Sequence, residues 1–344
     1  MKAVRIQEHG GLDKLRYEEA AEPELVLPTD AIINLRAASL NRSDIYSRQG
    51  VILHASRLPR VLGADGAGVV ATVGDQVKNI APGDAVCFYP VAGCGGCAFC
   101  AMDQDFMCPR MRVLGESEDG TYAEFVRVPA RNCFPIPQGL SFAESAAVPT
   151  AYLNAWRMLV TNGKLMPGEH VLIRGIGGGV ATAALQIATV LGARTIVTSR
   201  SDDKLGRAMT MGAEQVINSA KADFSKETRH LTHKRGVDVV VDCVGGEGWI
   251  KSLACLAKGG RLLTCGAVDA GEAQTDIQRI FWNDLNIFGS ALGNRQEFCQ
   301  ALNFMRTSKT KPVLDEIFPL RDAAAAQQRM EKNEHFGRIV LQMN

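Results

Sequence analysis

The chain is 344 residues long, with 38 Lys and Arg against 37 Asp and Glu, a formal net charge of +1 and 46% hydrophobic residues. That balance offers no basic face for nucleic acid and no polybasic membrane anchor, and no apolar run is long enough to span a bilayer. The length exceeds one ordinary core and predicts two domains.

Up to about residue 140, short apolar runs broken by Gly, Pro and Asp, such as AIINLRA, GAGVVATVG and GDAVCFYP, predict the strands and turns of a compact β-rich domain. The chain opens MKAVRIQEHG without an apolar targeting stretch, so it is expected in a reducing cytoplasm, where disulfides are rare. Within this part lies GCGGCAFCAMDQDFMC, in which Cys94, Cys97, Cys100 and Cys108 follow a C-x2-C-x2-C-x7-C spacing. Four thiolates on one ion make a closed tetrahedral site, the arrangement of one structural Zn2+. Disulfides are one rival. An iron–sulfur cluster is the other: Pro109 after the last cysteine suits it, but the final gap is seven residues rather than three and there is no second cysteine set. The remaining cysteines, Cys87, Cys133, Cys243, Cys255, Cys265 and Cys299, have apolar neighbours and are expected to be small core residues.

Beyond residue 140 strand and helix patterns alternate. Ser141 and Glu144 form a capping box, SFAE, that opens a long apolar helix through AAVPTAYLNAWRMLV, with a break or kink predicted at Pro149. EHVLIRGIGGGVATAALQIATVLGA then reads as a buried strand, a glycine-rich turn and a helix from about Val180. Gly175, Gly177, Gly178 and Gly179 would let backbone approach a pyrophosphate, with the amides and positive dipole end of the helix aimed at it. A plain tight turn needs only one or two glycines. RTIVTSR, DDKLGRAMTMGA, EQVIN, FSKETRHLT, VDVVVDCVG, WIKSLACLA and GRLLTCGAV continue the alternation, with Gly192, Gly212 and Gly259 as helix stops. The pattern predicts an α/β doubly wound parallel sheet with a cofactor along its carboxyl edge.

Cofactor choice turns on the end of the second strand of this sheet. A site for NAD places Asp or Glu there to accept from the ribose hydroxyls; this chain has Ser199 and Arg200, with Lys204 one turn into the next helix. Arginine can fork onto a 2′-phosphate, so NADP(H) is expected. The competing reading leaves Arg200 and Lys204 as solvated charges and puts Asp202 or Asp203 on the ribose.

From end to end, on MKAVRI, SLNRSD, VLGADGAGVV, GDAV, the four-cysteine lobe, GTYAEFV, the glycine turn, the paired strands and the closing HFGRIVLQ, the chain resembles the medium-chain dehydrogenase/reductase superfamily. The resemblance implies a GroES-like catalytic domain over residues 1–148 with a zinc lobe near 93–110, a Rossmann NADP(H)-binding domain over 149–290, and a segment 291–344 completing the first domain. It also implies cofactor-lining roles for Thr150, Asp242, Gly245 and Gly266. The segment FWNDLNIFGSALGN is implied to close over the nicotinamide and build a subunit contact in a homodimer or homotetramer.

Zinc-dependent alcohol dehydrogenases of that superfamily hold a catalytic zinc with a Cys where this chain has Asn41, a His-Glu pair where it has Ala64 and Asp65, and a second Cys near Thr150. Asn, Ala and Thr cannot supply those ligands, so that metal is expected to be absent. His9, His54, His170, His230, His233 and His335 form no replacement pattern and are expected on the surface or in loops, with His54 the one candidate kept. The chain is similar instead to the quinone oxidoreductase branch, in which Asn41 and Tyr46 of LNRSDIYSRQG match the pair lining the substrate cleft. A quinone or α,β-unsaturated carbonyl spreads the charge that hydride transfer creates, so the Tyr46 hydroxyl and Asn41 amide can hold the oxyanion, and Tyr46 can deliver the proton. The alternative for these residues is a pocket wall and a turn cap. The resemblance therefore implies a small-molecule carbonyl or quinone as partner. Rival functions are a zinc-dependent alcohol dehydrogenase with atypical ligands and a non-catalytic NADPH-binding protein.

Overall fold

The computed structural model describes residues 1–51 and 58–343. Met1–Thr150 and Asn294–Asn344 form one compact unit, and Ala151–Gly293 forms the other.

In the first unit the strand Asp30–Ser39 is the hub of a seven-stranded sheet, pairing antiparallel with Asp65–Val73, Phe125–Pro129 and the C-terminal strand Arg338–Gln342. Its alternate residues Ala31, Ile33 and Leu35 are fully buried in a core shared with Val70, Val126, Ile339 and Leu341, the period-2 pattern of a strand with one dry face. Two registers place the polar residues. Ser39 lies opposite Asp65 on one side and opposite Val340 on the other. The second register, continued past the strand end, brings Arg338 up to Asn41. Asn41 is extended (φ −122°) and starts the helix Arg42–Gln49, with its N–H donating to the Asp44 carboxylate at 2.8 Å.

The expected capping box forms: Ser141 N–H donates to Glu144 at 2.7 Å and Glu144 N–H to Ser141 Oγ at 3.2 Å, opening the helix Phe142–Ala146. Pro149 divides this region rather than kinking one helix. It takes the first position of a new helix, Pro149–Trp156, where its missing N–H is not needed.

The second unit carries a six-stranded, wholly parallel sheet in the spatial order Gln215–Asn218, Arg194–Ser199, His170–Ile173, Val237–Val241, Leu256–Thr264, Asn286–Gly289. Strand order reverses between His170–Ile173 and Val237–Val241, and the carboxyl ends there border the crevice such sheets use for ligands. Leu172, Ile196, Ile217, Val240 and Leu262 fill its core, buried on both faces as crossover helices require.

Two sequence expectations change. Gly259 is no helix stop: the helix Trp249–Cys255 passes directly into Leu256–Thr264, and Gly259 (φ +71°) lies where the register to Val237–Val241 shifts. His335 lies in a loop, as expected, and is buried there. Of the cysteines expected in the core, Cys87, Cys133 and Cys255 are buried, Cys299 is exposed, and Cys243 and Cys265 are half-buried. Among the described residues no helix is long and apolar enough to cross a membrane. His54 lies outside the described residues.

Candidate functional site

In the first unit the guanidinium of Arg338 joins Ser39, Asn41 and Asp65. Nε donates to Ser39 Oγ at 3.0 Å, Nη1 to Asn41 Oδ1 at 2.8 Å and Nη2 to Asp65 Oδ2 at 2.6 Å. The other oxygen of Asp65 accepts from Thr150 Oγ1 at 2.6 Å. Asp65 is fully buried; burial pushes its carboxyl up from the usual range, and Arg338 and Thr150 pull it back. Because a guanidinium only donates, the oxygen of the Asn41 amide must face Arg338. The amide nitrogen is thereby turned away; Nδ2 is buried and completes no hydrogen bond of normal geometry, though it lies close enough to Asp65 to help lower that carboxyl.

Behind this group stands a second buried acid. Asp44 accepts from Asn41 N–H and from the Tyr122 hydroxyl at 2.9 Å, and burial pushes its carboxyl up to about 7. The same burial, with Asp44 beside it, holds the Tyr122 hydroxyl well above its ordinary range. Tyr46 is half-buried on the Arg42–Gln49 helix, about 140° around the axis from Asn41 by helical spacing. Its hydroxyl makes no hydrogen bond to the Arg338 cluster. Sequence reasoning missed Arg338 altogether; its one signal was a charge opening the apolar run RIVLQ.

In the second unit the turn after His170–Ile173 has left-handed Gly175 (φ +70°) and Gly177 (φ +133°), and Gly178 precedes the helix Gly179–Val190. A Cβ on Gly178 would meet nothing within 4 Å, so the backbone is open to a ligand there. A Cβ on Gly177 would stand 2.9 Å from Lys204 Cδ and 3.1 Å from its Nζ, which places the ammonium beside the turn. Val180 occupies the first turn of the helix. These features fit a dinucleotide pyrophosphate: bare amides, a helix N-terminus and an adjacent cation.

At the end of Arg194–Ser199, Ser199 is buried and its Oγ accepts from Ser201 N–H at 3.2 Å, while Arg200 is exposed. Asp202, a rival partner for the ribose, is occupied by Asn218 and Lys221 at 2.6 Å each.

Asp242 directly follows the strand Val237–Val241, as expected. It is fully buried and accepts from Arg174 Nη1 at 2.6 Å, Ser252 Oγ at 2.8 Å and the amides of Val244 and Gly245. These bonds fix the shape of the loop that follows the strand. Gly245 (φ +69°) sits in that loop, where a Cβ would meet Ala270 O at 2.6 Å, and Gly266 is exposed after the neighbouring strand.

The thiols of Cys94, Cys97, Cys100 and Cys108 lie within 4.8 Å of one another, the one group among the described residues able to hold a metal ion through three or more His, Cys, Asp or Glu ligands. The Gly96 amide lowers Cys94 to about 6, and burial raises Cys100 to about 12. Four adjacent sulfurs cannot all ionise without a shared cation, and an all-sulfur donor set suits zinc. The lobe is tied to the C-terminal segment by Arg295, which donates to Asp103 and to buried Asp105 at 2.5 Å each.

A β-rich unit carrying a four-thiolate lobe, together with a parallel sheet bearing a glycine-rich turn at its carboxyl edge, defines a two-unit dehydrogenase architecture. Residues 27–138 match the alcohol dehydrogenase GroES-like domain family and residues 179–307 the zinc-binding dehydrogenase family. The chain is 33% identical to a zinc-type alcohol dehydrogenase-like protein of Schizosaccharomyces pombe, covering 100% of this chain and 99% of that protein. It is 30% identical to an NAD-dependent alcohol dehydrogenase of Sulfurisphaera tokodaii, covering 99% of each. A crystal structure of an NAD-dependent alcohol dehydrogenase superposes with a TM-score of 0.96 at 40% identity, covering 100% of both chains. The chain belongs to the medium-chain dehydrogenase/reductase superfamily, among its zinc-type alcohol dehydrogenase-like members.

Proposed function

We propose that the protein is an NADPH-dependent oxidoreductase that reduces a quinone or α,β-unsaturated carbonyl without catalytic zinc, its one zinc being structural and held by Cys94, Cys97, Cys100 and Cys108. The observation that carries this reading is the Asn41 amide, whose oxygen is fixed on Arg338 and whose buried nitrogen, beside Asp65, completes no hydrogen bond of normal geometry. A buried donor left unpaired is costly unless a ligand meets it. The other groups at the corresponding positions are a carboxylate spent on Arg338 and Thr150, a hydroxyl and a methyl. That donor set does not fit a catalytic zinc.

NADPH, when bound, supplies the hydride. The turn Gly175 to Gly179 and the first amides after it, Val180 included, would hold the pyrophosphate, while Ser199, Arg200 and Lys204 would favour the 2′-phosphate. Gly245 and Gly266 would line the same carboxyl edge, and Thr150 would stand near the nicotinamide. Asn41 Nδ2 donates to the oxygen on which charge develops. Its N–H is made a stronger donor because its own oxygen accepts from a cation, and the site cannot reorganise as water does. A conjugated acceptor delocalises the charge, so neutral donors suffice. Tyr46 delivers the proton.

The test is steady-state NADPH oxidation against quinones and enones. Asn41→Asp keeps an acceptor for Arg338 but removes the donor, and should lower kcat/KM by about 10²-fold or more. Tyr46→Phe should lower kcat by at least about 10-fold. Unchanged rates in both would remove these residues from the reaction. Self-association is part of the same reading: Ile277, Phe281 and Trp282 on the helix Ile277–Trp282 are 72%, 66% and 72% exposed, an apolar face that a second copy would cover.

A further inference from the structure

Cys243 and Cys265 follow two neighbouring parallel strands. Val241 and Leu263 are register partners, and the same register continued two residues sets the cysteines side by side. Asp242 N–H to Leu263 O at 2.9 Å and Val268 N–H to Cys243 O at 3.2 Å hold the chains together beyond the ladder. The two sulfurs are 3.3 Å apart; both residues keep part of their surface exposed, while the Cys265 thiol itself lies in buried surroundings. Adjacent strands, about 4.8 Å apart, fall within the Cα separation that a disulfide spans. Neither sulfur belongs to the four-cysteine lobe.

We propose that Cys243 and Cys265 form a reversible disulfide, a peroxide-responsive modification site on the carboxyl edge of the parallel sheet. The Cys243 thiolate attacks one oxygen of hydrogen peroxide. An S–O bond forms, the O–O bond breaks, sulfur is oxidised by two electrons, and the departing hydroxide takes a proton to become water. The Cys265 sulfur then attacks the sulfenic acid; the S–S bond forms, the S–O bond breaks, and hydroxide leaves with the Cys265 proton as a second water. Two thiols and one peroxide thus give one disulfide and two waters, and a dithiol reductant reverses the change. The order follows from surroundings: the hydrogen bond to Cys243 and burial hold the Cys265 proton, leaving it as the resolving thiol.

The bond would tie the loop carrying Gly245 to the turn carrying Gly266. Resting on the function proposed above, we expect oxidation to weaken dinucleotide binding, because the sulfurs must close by about 1.3 Å and draw together the two loops that flank the cofactor edge.

The full chain, with its metal, is treated with stoichiometric hydrogen peroxide, alkylated, digested with trypsin without reduction and mapped by mass spectrometry. Cleavage falls between the two sites, so residues 236–251 and 262–279 should appear as one linked species that dithiothreitol separates. C243S and C265S should each abolish it and C299S should leave it intact. Unlinked peptides, or Cys243 carried on to sulfinic acid without a link, would overturn the proposal. NADPH titration of reduced and oxidised protein reads the consequence: a threefold or greater rise in Kd supports it, and an unchanged Kd in linked protein overturns the coupling. Reduced protein that binds no dinucleotide would instead count against the proposed function, leaving the linked peptides as the test of the site.

Discussion

Replacing Arg338 with Met keeps an unbranched aliphatic stem and deletes the guanidinium. Asp65, fully buried, then loses its cation, while Ser39 and Asn41 lose a donor. Removing one partner of a buried pair costs about 3–5 kcal/mol, because the other charge stays buried and uncompensated. For the first unit, about 200 residues, that corresponds to a fall in Tm of roughly 6–20 °C. The loss carries a pH signature. Burial already raises the Asp65 carboxyl and Arg338 is the largest opposing influence, so without it the folded value climbs further. A group raised in the folded state contributes stability that is fully present below its unfolded value and lost as pH rises through the folded value. The deficit should therefore be smallest near pH 5 and largest near pH 8. Urea unfolding of Arg338→Met and of the double variant Arg338→Met, Asp65→Leu measures it, with the double variant recovering part of the loss. A loss below about 1 kcal/mol at pH 8, or the same loss at both pH values, would refute the buried pair as the centre of this site.

Asp44 has its own pH signature: with its carboxyl raised to about 7 by burial, stability should decline as pH rises from about 4 to 7 and then level, and Asp44→Asn should flatten that slope in the same unfolding assay. Lys204→Ala and Arg200→Ala should each weaken NADPH binding by roughly tenfold, about 1.4 kcal/mol, with a smaller effect on NADH; equal effects on both cofactors would remove the 2′-phosphate from their role. Trp282→Glu should shift sedimentation toward the monomer, whereas an unchanged profile would place any subunit contact elsewhere.

The features legible in the sequence were local ones. Four cysteines within fifteen residues, Ser141 with Glu144, and glycines between a Val-Leu-Ile strand and an apolar helix each carry their geometry in short spacing. The features missed depend on distant register. Arg338 meets Asn41 across 297 residues of chain, through a strand pairing that no local pattern encodes. Cys243 and Cys265 looked like scattered small residues until the parallel register set them together. Asp242 was legible at a strand end, but Arg174, which pairs with it, was just another charge beside the glycine turn. Pro149 was placed correctly as an interruption; that it opens a second helix follows from the chain needing no N–H there.

The central claim is a family member with structural zinc and no catalytic zinc, acting on a conjugated acceptor. Metal analysis of the purified protein, combined with NADPH-dependent turnover on quinones, enones and simple alcohols, tests it most directly. The expected result is one zinc per chain, turnover of conjugated acceptors, and rates unaffected by added zinc. Two zincs per chain, with activity on simple alcohols that disappears when the second is removed, would contradict it.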